Sequence, residues 1–189
     1  FRTVFLFAGE VVMRILVILD CPETAVFTLQ TAPALVEKIP ASDIRVLHPR
    51  LTVDPGFQSP DEGIPGADDR ARFEHDVAAR SAALHGIFAE WLAVSRPLGT
   101  VEWCEVSGAP RAIVAGQAAA FDMTILSRPR SDDPDPVRQA FAGALYDAHA
   151  IVLLAPQHPV RTVAAHPVIA WHPSSGLDHL LMRVRPLLE

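Results

Sequence analysis

Arg14-Ile15-Leu16-Val17-Ile18-Leu19, followed at once by Asp20-Cys21-Pro22-Glu23, decides the fold. A short, unbroken apolar run rich in β-branched residues suits a parallel strand covered on both faces, where an alternating pattern would mark a half-exposed one. The polar break after it, with Pro22 poised for a first helical turn, predicts a loop leading into a helix. Val26, Leu29, Ala32, Leu35 and Val36 then recur at helical spacing between Thr24 and Ile39, with a kink expected at Pro33. Ile44-Arg45-Val46-Leu47-His48 reads as a second strand.

The same alternation continues outward. Pro49 to Asp69, holding Pro49, Pro55, Pro60 and Pro65 with Gly56, Gly63 and Gly66 between them, reads as a long surface loop of the functional or mobile kind. Ala71 to Ser95 is the clearest helix, with Phe73, Val77, Ala83, Leu84, Ile87, Phe88, Trp91 and Leu92 as its expected buried side. Val101 to Val106 alternates like a strand, Gly108-Ala109-Pro110 turns into a helix over Arg111 to Ala120, and Met123-Thr124-Ile125-Leu126 is the next strand. A second polar loop, Arg128 to Pro136, precedes a short helix from Val137 to Asp147 and the apolar strand Ile151 to Ala155. Strands and helices alternating at this spacing predict an α/β fold, a parallel sheet with helices on both faces.

Composition narrows the function. The chain has 189 residues, half of them hydrophobic and a fifth charged, as in a packed globular protein of one full domain with a remainder. A net charge of −6 argues against nucleic acid, whose phosphates require a clustered basic surface. Lys38 is the only lysine and no glycine-rich loop precedes it, which excludes a P-loop nucleotidase. Cys21 and Cys104 stand far apart in unlike contexts and make neither a disulfide framework nor a zinc cluster, so a reduced, cytoplasmic setting is expected. Residues 1–12 are apolar, but Arg2, Glu10 and Arg14 bracket a run short of the ~20 residues a membrane helix needs. They are read as an appendage before Met13, and neither a signal peptide nor a membrane span is expected.

Other constellations resolve into ordinary roles. His158, His166, His172 and His179 crowd the last third, but their spacing matches no zinc pattern, and no metal site is expected. No G-x-S-x-G elbow exists, and Ser174 is more simply a helix cap. Glu102 and Glu105 fall on opposite faces of a regular strand and so form no catalytic pair, and Phe73, Phe88 and Trp91 read as a core stripe.

Several motifs together resemble the universal stress protein family. Gly108-x-Pro110 followed by Ile113, Ala118, Asp122 and Met123 to Leu126 is similar to that family's G-x-P…I…A…D-L-I-V-M-G stretch, and Asp20 matches its acidic residue after the first strand. Gly143-Ala144-Leu145-Tyr146 leading to Ile151-Val152-Leu153-Leu154-Ala155-Pro156 resembles the family's last helix and strand. The resemblance covers residues 13–156. After a linker, 157–167, Val168-Ile169-Ala170-Trp171-His172-Pro173-Ser174 looks like the opening of a second, truncated copy running to residue 189, although His172 replaces an acidic residue there. It implies a doubly wound sheet of five parallel strands in the order 3-2-1-4-5, of the adenine-nucleotide-hydrolase kind. It also implies a homodimer, or a pseudo-dimer with a second copy, joined through the fifth strand at Ile151, Val152, Leu153 and Leu154.

The family's ATP site rests on a glycine-rich loop after the fourth strand, G-x2-G-x9-G followed by Ser or Thr, whose backbone N–H groups meet the phosphates. Here that loop begins Ser127-Arg128-Pro129-Arg130: both early glycines are gone, Pro129 removes a donor, and Asp132, Asp133 and Asp135 bring negative charge. Gly143 remains, but Ala144 replaces the hydroxyl residue. Arg128 and Arg130 either hold an anion by side chain or pair with the nearby aspartates. A ligand above the strand ends would be lined by Asp20, Cys21, Val46, His48, Ser127 and Gly143. The expectation is therefore a non-enzymatic stress-response or interaction module with a degenerate nucleotide site and no required cofactor. The alternative is a sensor of ATP, AMP or another small molecule that uses Arg128 and Arg130 in place of the glycine loop.

Overall fold

The computed structural model describes residues 13–38, 42–57, 65–95, 100–159, 162–163, 165–168 and 175–188. Five strands, β1 (Met13–Ile18), β2 (Ser42–Arg50), β3 (Val101–Ser107), β4 (Met123–Ser127) and β5 (Val152–Ala155), form one sheet in the order β3-β2-β1-β4-β5. All pairings are parallel, so the expected 3-2-1-4-5 topology is the observed one. Five helices accompany them: α1 (Pro22–Val36), α2 (Ala67–Ser95), α3 (Pro110–Ala118), α4 (Asp135–Ala142) and α5 (Ser175–Leu188). A π-helical turn, Gly143–Asp147, continues α4.

The strand period of two sends alternate residues of β1 into two separate cores. Ile15, Val17 and Leu19 join Leu29, Leu35, Leu84 and Phe88 of α1 and α2 on one face. Leu16 and Ile18 join Val114 and Ala118 of α3, Ala140 of α4 and Ala144 on the other. These β1 side chains are at most 1 % exposed, and each large one contributes roughly 1.5–3 kcal/mol by leaving water. A central strand with no wet face is what the unbroken apolar run encodes. Leu187 of α5 is buried in the first cluster, with Val184 and Val163 against it. Of the second-copy opening expected from Val168 to Ser174 only Val168 is described, and the appendage 1–12 lies outside the described residues.

Two local features explain motif residues. Gly108 adopts φ +149°, a conformation closed to ordinary side chains, where the chain turns from β3 into α3. Asp122 accepts the Arg14 backbone N–H at 2.8 Å and returns its own N–H to the Arg14 carbonyl, fixing the start of β4 against β1. Elsewhere the boundaries shift. β2 runs on through Pro49 to Arg50, α1 passes Pro33 unbroken, and α2 begins at Ala67, inside the stretch read as loop.

The length of α2 shapes the carboxyl end of the sheet. Its 29 residues span about 43 Å at ~1.5 Å per residue, whereas even the nine residues of β2 reach only about 30 Å. Its core contacts, Leu84, Phe88 and Trp91, all lie in its second half. The first half therefore runs past the carboxyl ends of the strands and stands over them. No helix among the described residues is long and apolar enough to cross a membrane.

Candidate functional site

Above the carboxyl ends of β1 and β2 lies a cavity of about 270 Å³. Its floor and near wall come from the sheet, with Asp20 just past β1 and His48 and Pro49 in β2. Phe73, Asp76, Val77 and Arg80 of the overhanging half of α2 form the far wall, four positions that fall on one side of a helix. Leu51, Pro55, Pro110, Pro134, Asp135 and Pro136 complete it. This is the crevice where open α/β sheets hold ligands, apolar in most of its lining with a few polar groups converging on it.

Asp20 is the most unusual of those groups. It is only 7 % exposed, and its Oδ2 has no hydrogen-bond partner among the described residues. Burial raises its pKa from the ordinary 3.8 to about 7, helped by the negative Asp133 and opposed by its own backbone amide and by Arg80. His48, 3 % exposed, places Nδ1 2.9 Å from the Leu19 carbonyl. A carbonyl only accepts, so the proton sits on Nδ1, and burial, which lowers the imidazole pKa, keeps the ring neutral with Nε2 as an acceptor. The ring stacks on Trp103 of β3 at 6.2 Å between centroids. Arg80 is half-buried, and none of the described residues gives it an ion pair or hydrogen bond.

The other residues expected from the sequence sit elsewhere. Cys21 follows Asp20, and its thiol donates to Glu23 at 2.8 Å; burial first, and that bond second, push its pKa up to about 11. It is a protonated thiol at neutral pH and no nucleophile. Val46 is fully buried in mid-strand between Val17 and Trp103, below the cavity and inside the core. Ser127 closes β4 and is 3 % exposed, but it does not line the cavity.

Arg128 and Arg130 border a separate open depression, with Leu154, Pro156 and His158. Arg130 is already engaged. Its Nε and Nη2 donate to Asp133 Oδ1 at 3.0 and 2.8 Å, and its backbone N–H donates to Asp133 Oδ2 at 2.7 Å. Asp133 is buried, which alone would raise its pKa, yet the bonds from Arg130 outweigh burial and hold its carboxyl below the usual range. The loop after β4 thus closes on an internal carboxylate.

Gly143 is a correction of role. A Cβ built there would stand 2.4 Å from the Arg111 carbonyl oxygen and 3.2 Å from the Ala115 nitrogen. Its lack of a side chain lets the π-helical turn press on α3, and it does not line the cavity. Phe73 is corrected too: it is half-exposed against the cavity, while Phe88 and Trp91 are in the core. Among the described residues no group of three or more His, Cys, Asp or Glu side chains could hold a metal ion.

No protein-family model and no curated protein matches the chain. Solved structures do. Universal stress protein UspA from Lactobacillus plantarum is 16 % identical with a TM-score of 0.52, over 76 % of this chain and 97 % of that one. The hypothetical protein MJ0577 is 17 % identical with a TM-score of 0.51, over 76 % of this chain and 94 % of its own. At this identity the likeness speaks for a shared fold.

Proposed function

We propose that this chain is a non-enzymatic module of the universal stress protein kind, which holds a small ligand in the strand-end cavity and has given up the phosphate loop. One observation carries the reading: Asp20, a buried carboxyl whose Oδ2 has no hydrogen-bond partner among the described residues, lines the strand-end cavity. The kinship rests on the fold together with the ordered motifs from Asp20 to Pro156. The absence of chemistry is supported by Cys21, held as a thiol, and by Arg130, whose guanidinium is spent on Asp133.

Thermal unfolding with millimolar ATP, ADP and AMP, with and without magnesium, tests it. A ligand at ~100 times its Kd adds roughly 2.7 kcal/mol, an easily read shift. ATP and ADP are expected to leave the melting temperature unchanged. A clear ATP shift that Arg128→Ala or Arg130→Ala removes would restore the nucleotide-sensor reading in place of this one.

The edge strand β5 favours a homodimer as the working assembly. Among the described residues it pairs only with β4, and Leu154 on it is 41 % exposed. An apolar edge invites pairing with a symmetry mate. Light scattering is expected to give twice the 20.5 kDa chain mass, falling to a single chain in Leu154→Lys. A wild-type chain that stays monomeric at tens of micromolar would dismiss the dimer.

A further inference from the structure

We propose that the cavity takes a small zwitterion, an amine and a carboxylate on a flat apolar body, with the carboxylate held by Arg80 and the amine by Asp20 and His48. This assignment rests on the cavity being a ligand site and adds which chemistry it selects.

The amine end is set by the acceptors. Asp20 Oδ2 and His48 Nε2 belong to side chains more than nine-tenths buried, and both residues line the cavity. One lacks any partner, and the other is an acceptor by virtue of the proton on Nδ1. Two buried acceptors side by side in the sheet order (β1 next to β2) call for a group with several N–H donors. An ammonium supplies three and also suits a lining in which the carboxyls Asp20, Asp76 and Asp135, the last paired with Arg138 at 3.5 Å, outnumber Arg80, the one arginine among the described lining residues. A ligand carrying two or more negative charges would meet that acidic wall unfavourably.

The carboxylate end is set by Arg80. A guanidinium fork half-sunk in a cavity wall, with no described protein partner, is shaped to receive a planar carboxylate in bidentate fashion. Asp76, one turn before it on α2, is exposed and forms no ion pair with it, so the fork is left for the ligand. Phe73, Val77 and several prolines supply the apolar part of the lining, which suits a ring. The volume of about 270 Å³ corresponds to roughly nine waters at ~30 Å³ each, hence a molecule of on the order of ten non-hydrogen atoms.

Calorimetric titration of the full chain tests this with para-(aminomethyl)benzoate and phenylalanine, which set the two charges across a ring or on one carbon. Benzylamine, benzoate and para-(aminomethyl)benzamide are the partial probes. At least one zwitterion is expected to bind roughly tenfold to a hundredfold more tightly than benzylamine or the amide. Arg80→Gln should reduce it to the level of benzylamine while leaving benzylamine itself unchanged; Arg80→Lys should keep part of the gain. Asp20→Asn should weaken zwitterion and benzylamine together. Arg80 makes no ion pair or hydrogen bond among the described residues but holds the Asp20 pKa down, so its variants should melt close to the wild type at pH 5, where Asp20 is protonated, which confirms that they fold. If benzylamine binds but the zwitterions gain nothing, or if Arg80→Gln leaves their affinity intact, the carboxylate arm is overturned and the cavity survives as a ligand site. If none of the five binds at millimolar concentration, the zwitterion assignment falls, and with nucleosides equally silent the ligand-site reading falls with it.

Discussion

Asp20→Asn is expected to melt well above the wild-type chain at pH 8 and close to it at pH 4. The carboxyl is raised from 3.8 to about 7 in the folded protein, chiefly by burial, with Asp133 adding to the shift and Arg80 and the Asp20 backbone amide opposing it. A raised carboxyl binds its proton more tightly folded than unfolded. Its contribution is therefore fully present below about pH 4 and is lost as pH rises through 7. Roughly three units at 1.36 kcal/mol each put the loss on the order of 4 kcal/mol above pH 7. In a chain of this size each kcal/mol moves the midpoint by about 2–4 °C, so the gap should reach about 8–16 °C. Asparagine has nothing to ionise, so the variant keeps only the pH dependence of the other groups and the gap between the two chains isolates that of Asp20. Melting curves at pH 4, 6 and 8 decide the matter. Two lines running parallel across that range would mean that Asp20 carries no buried charge at neutral pH.

Such a cost at one residue accords with the ligand site proposed above. Stability withheld at a site is commonly regained when the ligand arrives, and the residues responsible look like local errors in an otherwise consistent fold. The sheet itself has no such errors. β1 and β4 are strands buried on both faces, and their composition leaves little room for another reading: Ile15 to Leu19 and Met123 to Leu126 are wholly enclosed. Asp20 and His48 were legible as residues of the strand-end cavity for the same reason, since whatever ends a buried parallel strand lies at the crevice.

The far wall of the cavity was hidden. Phe73 and Val77 continue the apolar stripe of Leu84, Phe88 and Trp91 at helical spacing, and periodicity cannot tell a residue facing core from one facing an overhung cavity. The usable signal was length: a helix of some 25 residues, about 37 Å at ~1.5 Å per residue, outruns any strand in this chain. Its amino-terminal half had to stand beyond the strand ends, and Arg80 with it. The arginine loop carried two readings, an anion site or pairing with the nearby aspartates, and the second holds at Arg130, whose guanidinium three residues from the buried Asp133 is engaged there.

Gly143→Ala is the substitution that separates a glycine kept for a ligand from one kept for packing. A glycine that lets a backbone approach a phosphate leaves room for a methyl in the empty protein, and the variant should then fold as well as the wild type. Here the methyl would meet the Arg111 carbonyl oxygen at 2.4 Å, the Arg111 carbonyl carbon at 3.1 Å and the Ala115 nitrogen at 3.2 Å. All three are backbone atoms of α3, which cannot rotate aside as a side chain can. Relief requires moving α3 away from the π-helical turn, and that opens the cluster of Val114, Ala118, Ala140 and Ala144 beneath them. Small residues there bring the two helical segments close and leave little slack. Overpacking of this kind costs about 1–3 kcal/mol, and the rigid neighbours place Gly143→Ala at the upper end, on the order of 3 kcal/mol, or a midpoint lowered by about 6–12 °C. Chemical denaturation of the two chains without ligand reads the difference directly. An unchanged midpoint would return Gly143 to the ligand site and revive the nucleotide loop. The expected loss would show that Gly143 is kept for packing, because α3 leans on it.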